Sequence, residues 1–179
     1  MTFAVTMSAA CVGLIAGLVV ATGSIAGPTP DGSQLTNPVN DQGWTAPAEG
    51  FITSTYMAPN RPDHLGTDIA NAEGTPIWAA SSGTVAQAAC TSSDCTVREV
   101  GDGCGWTVRI DHGGGIATRY CHLRDRPLIT AGDTVSGGQQ LGDMGSTGHS
   151  TGDHLHFECY TGGFTVDCEP FMGARGVTL

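Results

Sequence analysis

The run Trp106-Thr-Val-Arg-Ile-Asp-His-Gly-Gly-Gly-Ile-Ala-Thr-Arg-Tyr120 carries the clearest structural signal in this chain of 179 residues. Its two arms are rich in the β-branched and aromatic residues that strands favour. The glycines from Gly113 to Gly115 can take the positive φ angles of a tight turn, and His112 stands where that turn would open. The run therefore predicts an antiparallel β-hairpin.

Further short runs with the same character occur on both sides of the hairpin, separated by glycine and proline. They are Phe51–Tyr56, Pro76–Ala79, Thr84–Ala88, Gln140–Asp143, His154–Tyr160 and Phe164–Val166. Glycine occupies 27 positions and charged residues make up only 13% of the chain, so tight turns are frequent and long amphipathic helices are not expected. The sequence predicts an all-β single domain with a mainly antiparallel sheet, short strands, glycine-rich loops and little helix.

We place this domain at residues 51–172. The preceding residues 27–50 are rich in proline, glycine and short polar side chains, which indicates a linker or a loosely held arm. Trp44 is the one sizeable hydrophobic residue there, and we expect it to pack on the domain edge. Residues 173–179 are predicted to be a C-terminal tail.

The segment 1–26 has the character of an export signal. Residues 3–26 are almost entirely apolar or small, and Ser24-Ile25-Ala26 fits a cleavage pattern that would leave Gly27 as the mature terminus. No Arg or Lys precedes the run, and it is long enough to cross a bilayer uncleaved. A signal peptide, a membrane anchor and an incorrectly assigned start codon are the alternatives, and each predicts a secreted or otherwise extracytoplasmic domain.

The charge balance excludes several classes of function. The formal net charge is -10, and all seven basic residues are arginine. Binding to a nucleic-acid backbone requires a dense basic surface, so nucleic acid is not expected as a partner. The absence of lysine from the sequence also excludes Schiff-base chemistry and a biotinyl or lipoyl carrier lysine.

The cysteines agree with export. Apart from Cys11, which lies in the apolar segment, their number is even, and this favours disulfides outside the cytoplasm. We expect each pair to close a short loop or to join neighbouring strands. The expected pairs are Cys90 with Cys95, Cys104 with Cys121, and Cys159 with Cys168, although the sequence alone leaves other pairings open. A thiolate zinc site is the competing interpretation, and the lack of any C-x-x-C pair disfavours it.

One histidine pattern with metal-ligand character is Gly152-Asp-His-Leu-His-Phe-Glu158. In a strand, His154 and His156 would share one face, while Leu155 and Phe157 would turn to the core. Two imidazoles side by side suit zinc ligation, or one ligand beside one proton-transfer group. Taken alone, such a pair can also be two exposed polar positions on an amphipathic strand.

The second pattern is His64-Leu-Gly-Thr-Asp68. Helical geometry would bring its two ends together, but Gly66 and Pro62 favour a loop that runs into a strand. Such a pair arises readily by chance. The conjunction of the two patterns is therefore more informative than either one.

Both patterns lie among segments that closely resemble the lysostaphin-type (LytM-like) zinc endopeptidases, which hydrolyse peptidoglycan cross-bridges or stem peptides. The resemblance covers about residues 50 to 172, in the family's order and approximate spacing. The matching segments are Asp63–Ala70, Gly74–Ala80, Gly83–Val85, Gly105–Gly113, Tyr120–Leu123, Gly132–Val135, Gly145–Gly148 and Ser150–Glu158.

The resemblance implies one zinc ion held by His64, Asp68 and His156, with His122 and His154 as the two catalytic histidines. Three protein ligands leave a fourth tetrahedral position open, as a catalytic zinc site requires. The implied activity is hydrolysis of peptidoglycan peptide bonds at the cell wall, and we expect a monomer.

Three departures from the family pattern leave the substrate preference open. They are the segment Tyr56–Arg61 in the first loop, Asp153 beside the paired histidines, and the additional cysteines. A non-catalytic peptidoglycan-binding or regulatory adaptor of the same fold is the alternative function. His149 lies in a glycine-rich loop, where we expect it at the edge of the substrate site or facing solvent.

Overall fold

The computed structural model describes residues 35–96 and 103–179, and within those ranges the chain forms ten strands and one short helix. The strands are β1 (Phe51–Ser54), β2 (Thr67–Ala70), β3 (Pro76–Trp78), β4 (Gly83–Cys90), β5 (Trp106–Gly113), β6 (Ile116–Leu123), β7 (Thr134–Val135), β8 (Gln140–Asp143), β9 (His154–Thr161) and β10 (Phe164–Val166), and the helix is α1 (Cys168–Gly173). The predicted all-β, mainly antiparallel fold with little helix is confirmed.

Most of the strands form one large antiparallel sheet. Its order is β1-β2-β9-β6-β5-β4-β7, and β10 pairs with β9 beside this path. The strand β9 lies between β2 and β6, so residues far apart in the sequence become neighbours on one sheet surface. A second sheet contains β3 and β8.

The hairpin of β5 and β6 has a tighter turn than its glycine run suggested. The last residue pair is Gly113 with Ile116, so the turn itself consists of Gly114 and Gly115, whose φ angles are 61° and 77°. Glycine adopts positive φ at both positions without a Cβ clash. His112 consequently lies in β5 and not in the turn.

The core lies on one face of the large sheet. Tyr120 of β6 and Phe157 of β9 are paired across the strands, are fully buried, and have ring centroids 5.3 Å apart. Ile77 of β3, Leu141 of β8 and Phe171 of α1 belong to the same hydrophobic cluster and cover this face. Side chains alternate between the two sides of a strand, so the intervening residues project from the opposite face, which we call the open face.

The segment 35–50, predicted as part of a linker or arm, packs against the domain. Trp44 contacts Phe171 of α1 with ring centroids 5.7 Å apart, as expected for a residue on the domain edge, and Ala48 is buried in the core. The composition of the segment did not indicate that its other residues pack on the domain. They are held by short side chains and by backbone hydrogen bonds, and neither appears as a hydrophobic pattern in the sequence. The predicted signal peptide or anchor and the first part of the predicted linker fall in residues 1–34, outside the described ranges.

The C-terminal residues 173–179 also contact the domain. Val177 is 9% exposed and belongs to the core cluster, and its N–H donates to Met172 O at 3.1 Å. Helix α1 begins after Asp167, whose carboxylate accepts a hydrogen bond from the Glu169 N–H at 3.0 Å. Among the described residues, no helix has the length and apolar character needed to cross a membrane.

All six cysteines in the described ranges are paired as expected. The disulfides are Cys90–Cys95, Cys104–Cys121 and Cys159–Cys168. Cys104 lies two residues before β5, and its partner Cys121 lies in β6, immediately before His122. This disulfide therefore lies directly beside His122 in the chain.

Candidate metal centre and active site

Two central strands and one loop bring the predicted metal ligands together. Asp68 of β2 is paired with His156 of β9, so both side chains project from the open face. His64 lies in the loop before β2, where its N–H donates to Arg61 O at 3.0 Å. A Cβ at Gly66 would lie 2.7 Å from His156 Cε1, so the glycine permits this close approach of loop and strand. The pair His64 and Asp68 thus meets through a loop and a strand, as its sequence predicted.

One ligand atom from each residue faces a common centre. His64 Nε2 lies 2.9 Å from Asp68 Oδ1 and 3.0 Å from His156 Nδ1, and the third side of this triangle, from His156 Nδ1 to Asp68 Oδ1, is 2.8 Å. His64 and Asp68 are buried, and the side chain of His156 is 12% exposed. The three residues therefore form a compact set of nitrogen and oxygen donors of the kind that zinc accepts.

The outward-facing nitrogens of the two histidines have their own acceptors. His64 Nδ1 donates to Thr55 O at 2.9 Å, and His156 Nε2 donates to Glu158 Oε1 at 3.2 Å. In the neutral rings the inward nitrogens then carry lone pairs, and the Asp68 oxygen is also an acceptor. Three acceptors that converge without a donor require a cation or a proton between them. The donor set therefore fits a metal ion, with each histidine oriented by a hydrogen bond on its far side.

The electrostatics of the site also attract positive charge. Burial alone raises the pKa of Asp68, but the hydrogen bond and charge of His156, together with His154 and Arg61, bring it well below its usual range. Burial likewise opposes the charged form of His156, yet hydrogen bonds to Asp68 and Glu158 raise its pKa overall. Arg61 Nη1 donates to the second oxygen of Asp68 at 2.8 Å. A proton and a metal cation would therefore compete for the same centre.

His122 and His154 face this centre from β6 and β9, with ring centroids 4.8 Å apart. His122 donates its Nδ1–H to Thr147 O at 2.7 Å, and His154 donates its Nδ1–H to Gly152 O at 2.9 Å. Each neutral ring therefore presents an Nε2 lone pair. Burial, followed by the neighbouring His154, lowers the pKa of His122 to about 3, which keeps it neutral at physiological pH.

The backbone of His122 is held in an unusual conformation. Its φ angle is 67°, in the left-handed region that residues other than glycine seldom adopt. The His122 N–H donates to Cys104 O at 2.8 Å, and its carbonyl accepts from the Gly145 N–H at 3.1 Å. The disulfide between Cys104 and Cys121 ties the same two segments together. These contacts aim the imidazole at the cluster, at a backbone cost of order 1 to 3 kcal/mol.

The five predicted site residues all line one cleft of about 840 Å³, which we call the metal cleft. They are His64, Asp68, His122, His154 and His156. The loop residues His149 and Ser150 also line it. His112 lies away from the metal cleft, where its ring packs against Trp44 with centroids 5.1 Å apart.

Three further residues belong to the site but were not predicted from the sequence. Arg61 pairs with Asp68, while Glu158 accepts from His156 and also from the Tyr160 hydroxyl. Two of them could have been found from the alternation of side chains along β9. Glu158 and Tyr160 follow His156 at intervals of two residues, so they project from the same face of the strand. No comparable local signal identifies Arg61, whose contact depends on the course of the loop.

Comparison with known proteins agrees with this geometry. The profile described as Peptidase family M23 matches residues 62–168. The peptidoglycan DD-endopeptidase ShyC of Vibrio cholerae is 38% identical over 100 residues, which cover 56% of this chain and 21% of the relative. The glycyl-glycine endopeptidase ALE-1 of Staphylococcus capitis is 33% identical over 134 residues, covering 72% of this chain and 34% of the relative. This chain thus matches about a fifth to a third of the length of these curated relatives.

Solved structures show the same fold. Lysostaphin of Staphylococcus simulans superposes with a TM-score of 0.62 at 27% identity, over 76% of this chain and 55% of that one. A zinc-containing peptidase of Vibrio cholerae superposes with a TM-score of 0.57 at 28% identity, over 78% of this chain and 44% of that one.

Proposed function

The chain belongs to peptidase family M23, and from this premise we propose that it is a zinc-dependent endopeptidase that hydrolyses peptide bonds of bacterial peptidoglycan. The observation that carries the proposal is the convergence of His64 Nε2, Asp68 Oδ1 and His156 Nδ1 within 3.0 Å of one another. When both imidazoles are neutral and Asp68 is ionised, none of these three atoms carries a proton. Two further histidines face the same point. A set of three ligands with additional proton-transfer groups is characteristic of a catalytic zinc centre.

The proposed substrate class follows from the relatives. Both curated relatives described above are named as endopeptidases, one a peptidoglycan DD-endopeptidase and the other a glycyl-glycine endopeptidase. A peptide in the metal cleft is the substrate that these names have in common. Because peptidoglycan lies outside the cytoplasm, we also propose an extracytoplasmic location, in agreement with the disulfides.

The chemistry divides between the metal and the protein. Bound zinc supplies a Lewis acid that polarises a carbonyl and makes water acidic enough to attack near neutral pH. His64, Asp68 and His156 would hold the ion, and the carboxylate of Glu158 keeps His156 oriented with Nδ1 inward.

His122 and His154 would carry the proton transfers. Each ring is anchored through Nδ1 to a backbone carbonyl, so its free Nε2 can accept the proton of the attacking water. The protonated ring can then stabilise the developing oxyanion or donate a proton to the leaving amine. The presence of both histidines beside a complete ligand set favours an enzyme over the non-catalytic adaptor.

Three substitutions separate ligands from catalytic groups. We expect His156→Ala to lose both zinc and activity, because two remaining ligands hold zinc poorly. We expect His154→Ala and His122→Asn to retain about one zinc per chain while hydrolysis falls by about 10²-fold or more. His149→Ala is the matched control, since His149 lines the metal cleft outside this set.

Zinc would be measured by elemental analysis, and hydrolysis by the release of new amino termini from purified cell wall. Chelation should abolish the activity of the unmodified protein, and added zinc should restore it. Full activity in a metal-free preparation would contradict the proposal. Loss of zinc from His154→Ala together with its retention in His156→Ala would reverse the assignment of ligand and catalyst.

A further inference from the structure

A second cleft lies on the open face, next to the metal cleft. It has a volume of about 480 Å³, and Arg109, Asp111, Ala117 and Tyr160 contribute to its lining. The strand pairing explains the depression, because Ala117 of β6 is paired with Asp111 on one side and with Tyr160 on the other. A short side chain between two longer ones leaves a hollow in the sheet surface. We call this hollow the arginine cleft.

Arg109 is oriented in this cleft by an aromatic contact. Its guanidinium carbon lies 4.4 Å from the centre of the Tyr160 ring, a stacking contact that restricts the side chain. Within the described ranges, no carboxylate forms an ion pair with Arg109. The neighbouring Arg119 differs, since its Nη1 lies 3.7 Å from Glu158 Oε2. In a chain with a net charge of -10, a stacked arginine that lacks a carboxylate partner among the described residues is suited to an anionic ligand.

The arginine cleft is connected to the metal centre through β9. Tyr160 lines the cleft with its ring, while its hydroxyl donates to Glu158, which in turn accepts from the metal ligand His156. His156 and Tyr160 are four positions apart on one strand, a separation of about 13 Å. An extended peptide laid along this face would span the two clefts with about four residues.

We propose that Arg109, held by Tyr160, binds a carboxylate of the peptidoglycan peptide and so contributes to substrate selection. This inference rests on the proposed function, because it assigns the peptide in the metal cleft a second point of attachment. A guanidinium forms paired, charge-assisted hydrogen bonds with a carboxylate, which a carboxamide cannot reproduce. Asp111 lies in the same cleft, with Oδ1 accepting from the Gly113 N–H at 2.8 Å, and its charge opposes the binding of an anion.

The test uses synthetic stem-peptide dimers in which each carboxylate is converted in turn to its carboxamide. For the zinc-loaded protein, we expect one such conversion to lower kcat/KM by about tenfold to a hundredfold. Arg109→Gln should abolish this preference, so that kcat/KM on the carboxylate dimer falls to the value on the amidated dimer. Asp111→Asn preserves the hydrogen-bond acceptor for Gly113 and should increase the preference by about two- to fivefold.

Arg126→Gln is the control, because Arg126 is an exposed arginine that lines neither cleft. The subsite is refuted if no conversion affects the unmodified protein, or if Arg109→Gln retains the preference. Calorimetric binding of the same dimers to zinc-loaded protein gives a readout that does not depend on turnover. If none of the dimers is cleaved, the proposed function fails. The calorimetric measurement still tests the subsite in that case, because a preference for the carboxylate dimer in binding, lost in Arg109→Gln, would support it and the lack of such a preference would refute it.

Discussion

Glu158→Gln is the substitution that most directly tests how the protein orients His156, the proposed metal ligand. Glu158 is 7% exposed, and its two oxygens accept from His156 Nε2 and from the Tyr160 hydroxyl. Glutamine has nearly the same volume and can still accept from His156 Nε2, so packing and this hydrogen bond are conserved. What is lost is the negative charge behind the imidazole, and the Tyr160 hydroxyl, which donates to Glu158, would have to accept from the new amide NH2 instead. Burial raises the pKa of Glu158, but the hydrogen bonds from His156 and Tyr160 lower it overall, so the side chain is ionised near neutral pH.

The expected effect is a weaker zinc site. A carboxylate behind a ligating histidine makes the ring a better donor, and its loss typically reduces metal affinity by about 10- to 100-fold, or about 1.4 to 2.8 kcal/mol. The structure favours the upper part of this range. The Glu158 side chain is almost fully buried, so water screens its charge poorly, and Nε2 of His156 lies only 3.2 Å from Oε1.

The dissociation constant for zinc would be measured by competition with a chromophoric chelator at fixed pH and ionic strength. Glu49→Gln provides an isosteric control, because Glu49 is exposed and lies outside the residues that line the metal cleft. Equal zinc affinity in Glu158→Gln, Glu49→Gln and the unmodified protein would refute the orienting role of Glu158. Thermal unfolding of the variants in excess zinc would verify that the comparison is between folded proteins.

Two further predictions concern the framework around the site. His122 has a φ angle of 67°, and asparagine tolerates this left-handed region better than alanine. We therefore expect the free energy of unfolding, measured in urea, to be about 1 kcal/mol lower for His122→Ala than for His122→Asn. Equal stabilities of the two variants would contradict the backbone strain at His122. Mass spectrometry after alkylation of the unfolded, unreduced protein should find none of Cys90, Cys95, Cys104, Cys121, Cys159 and Cys168 modified, and modification of any of them would contradict the disulfide framework.

The features that followed from the sequence are local in character. Consecutive glycines predicted the turn between β5 and β6, because positive φ is a property of the residues in the turn. The alternation of His154-Leu-His-Phe placed two histidines on one face, because this alternation is built into any strand. The pairs Cys90–Cys95 and Cys159–Cys168 were expected for a similar reason, since each closes a short segment of chain. The division into ligands and catalytic groups came from the resemblance to a known family.

The sequence was less informative about segments held by distant partners. Residues 35–50 have the composition of a linker, and only Trp44 was expected to pack on the domain, yet Ala48 is buried in the core as well. One partner of this segment is Phe171, which contacts Trp44 from more than 100 positions further along the chain. The composition of residues 35–50 does not indicate which distant residues they contact.

The site itself is decided by the pairing of strands. Asp68 and His156 are 88 positions apart in the chain, and only the register of β2 against β9 brings their ligand atoms to 2.8 Å. The same dependence on register places Asp111 and Tyr160 on either side of Ala117 and forms the arginine cleft, which Arg109 also lines. The faces and turns of the strands could be predicted from the sequence, because they depend on nearest neighbours along the chain. Which faces meet could not, because the register of paired strands is set by the burial of one whole sheet face against the core.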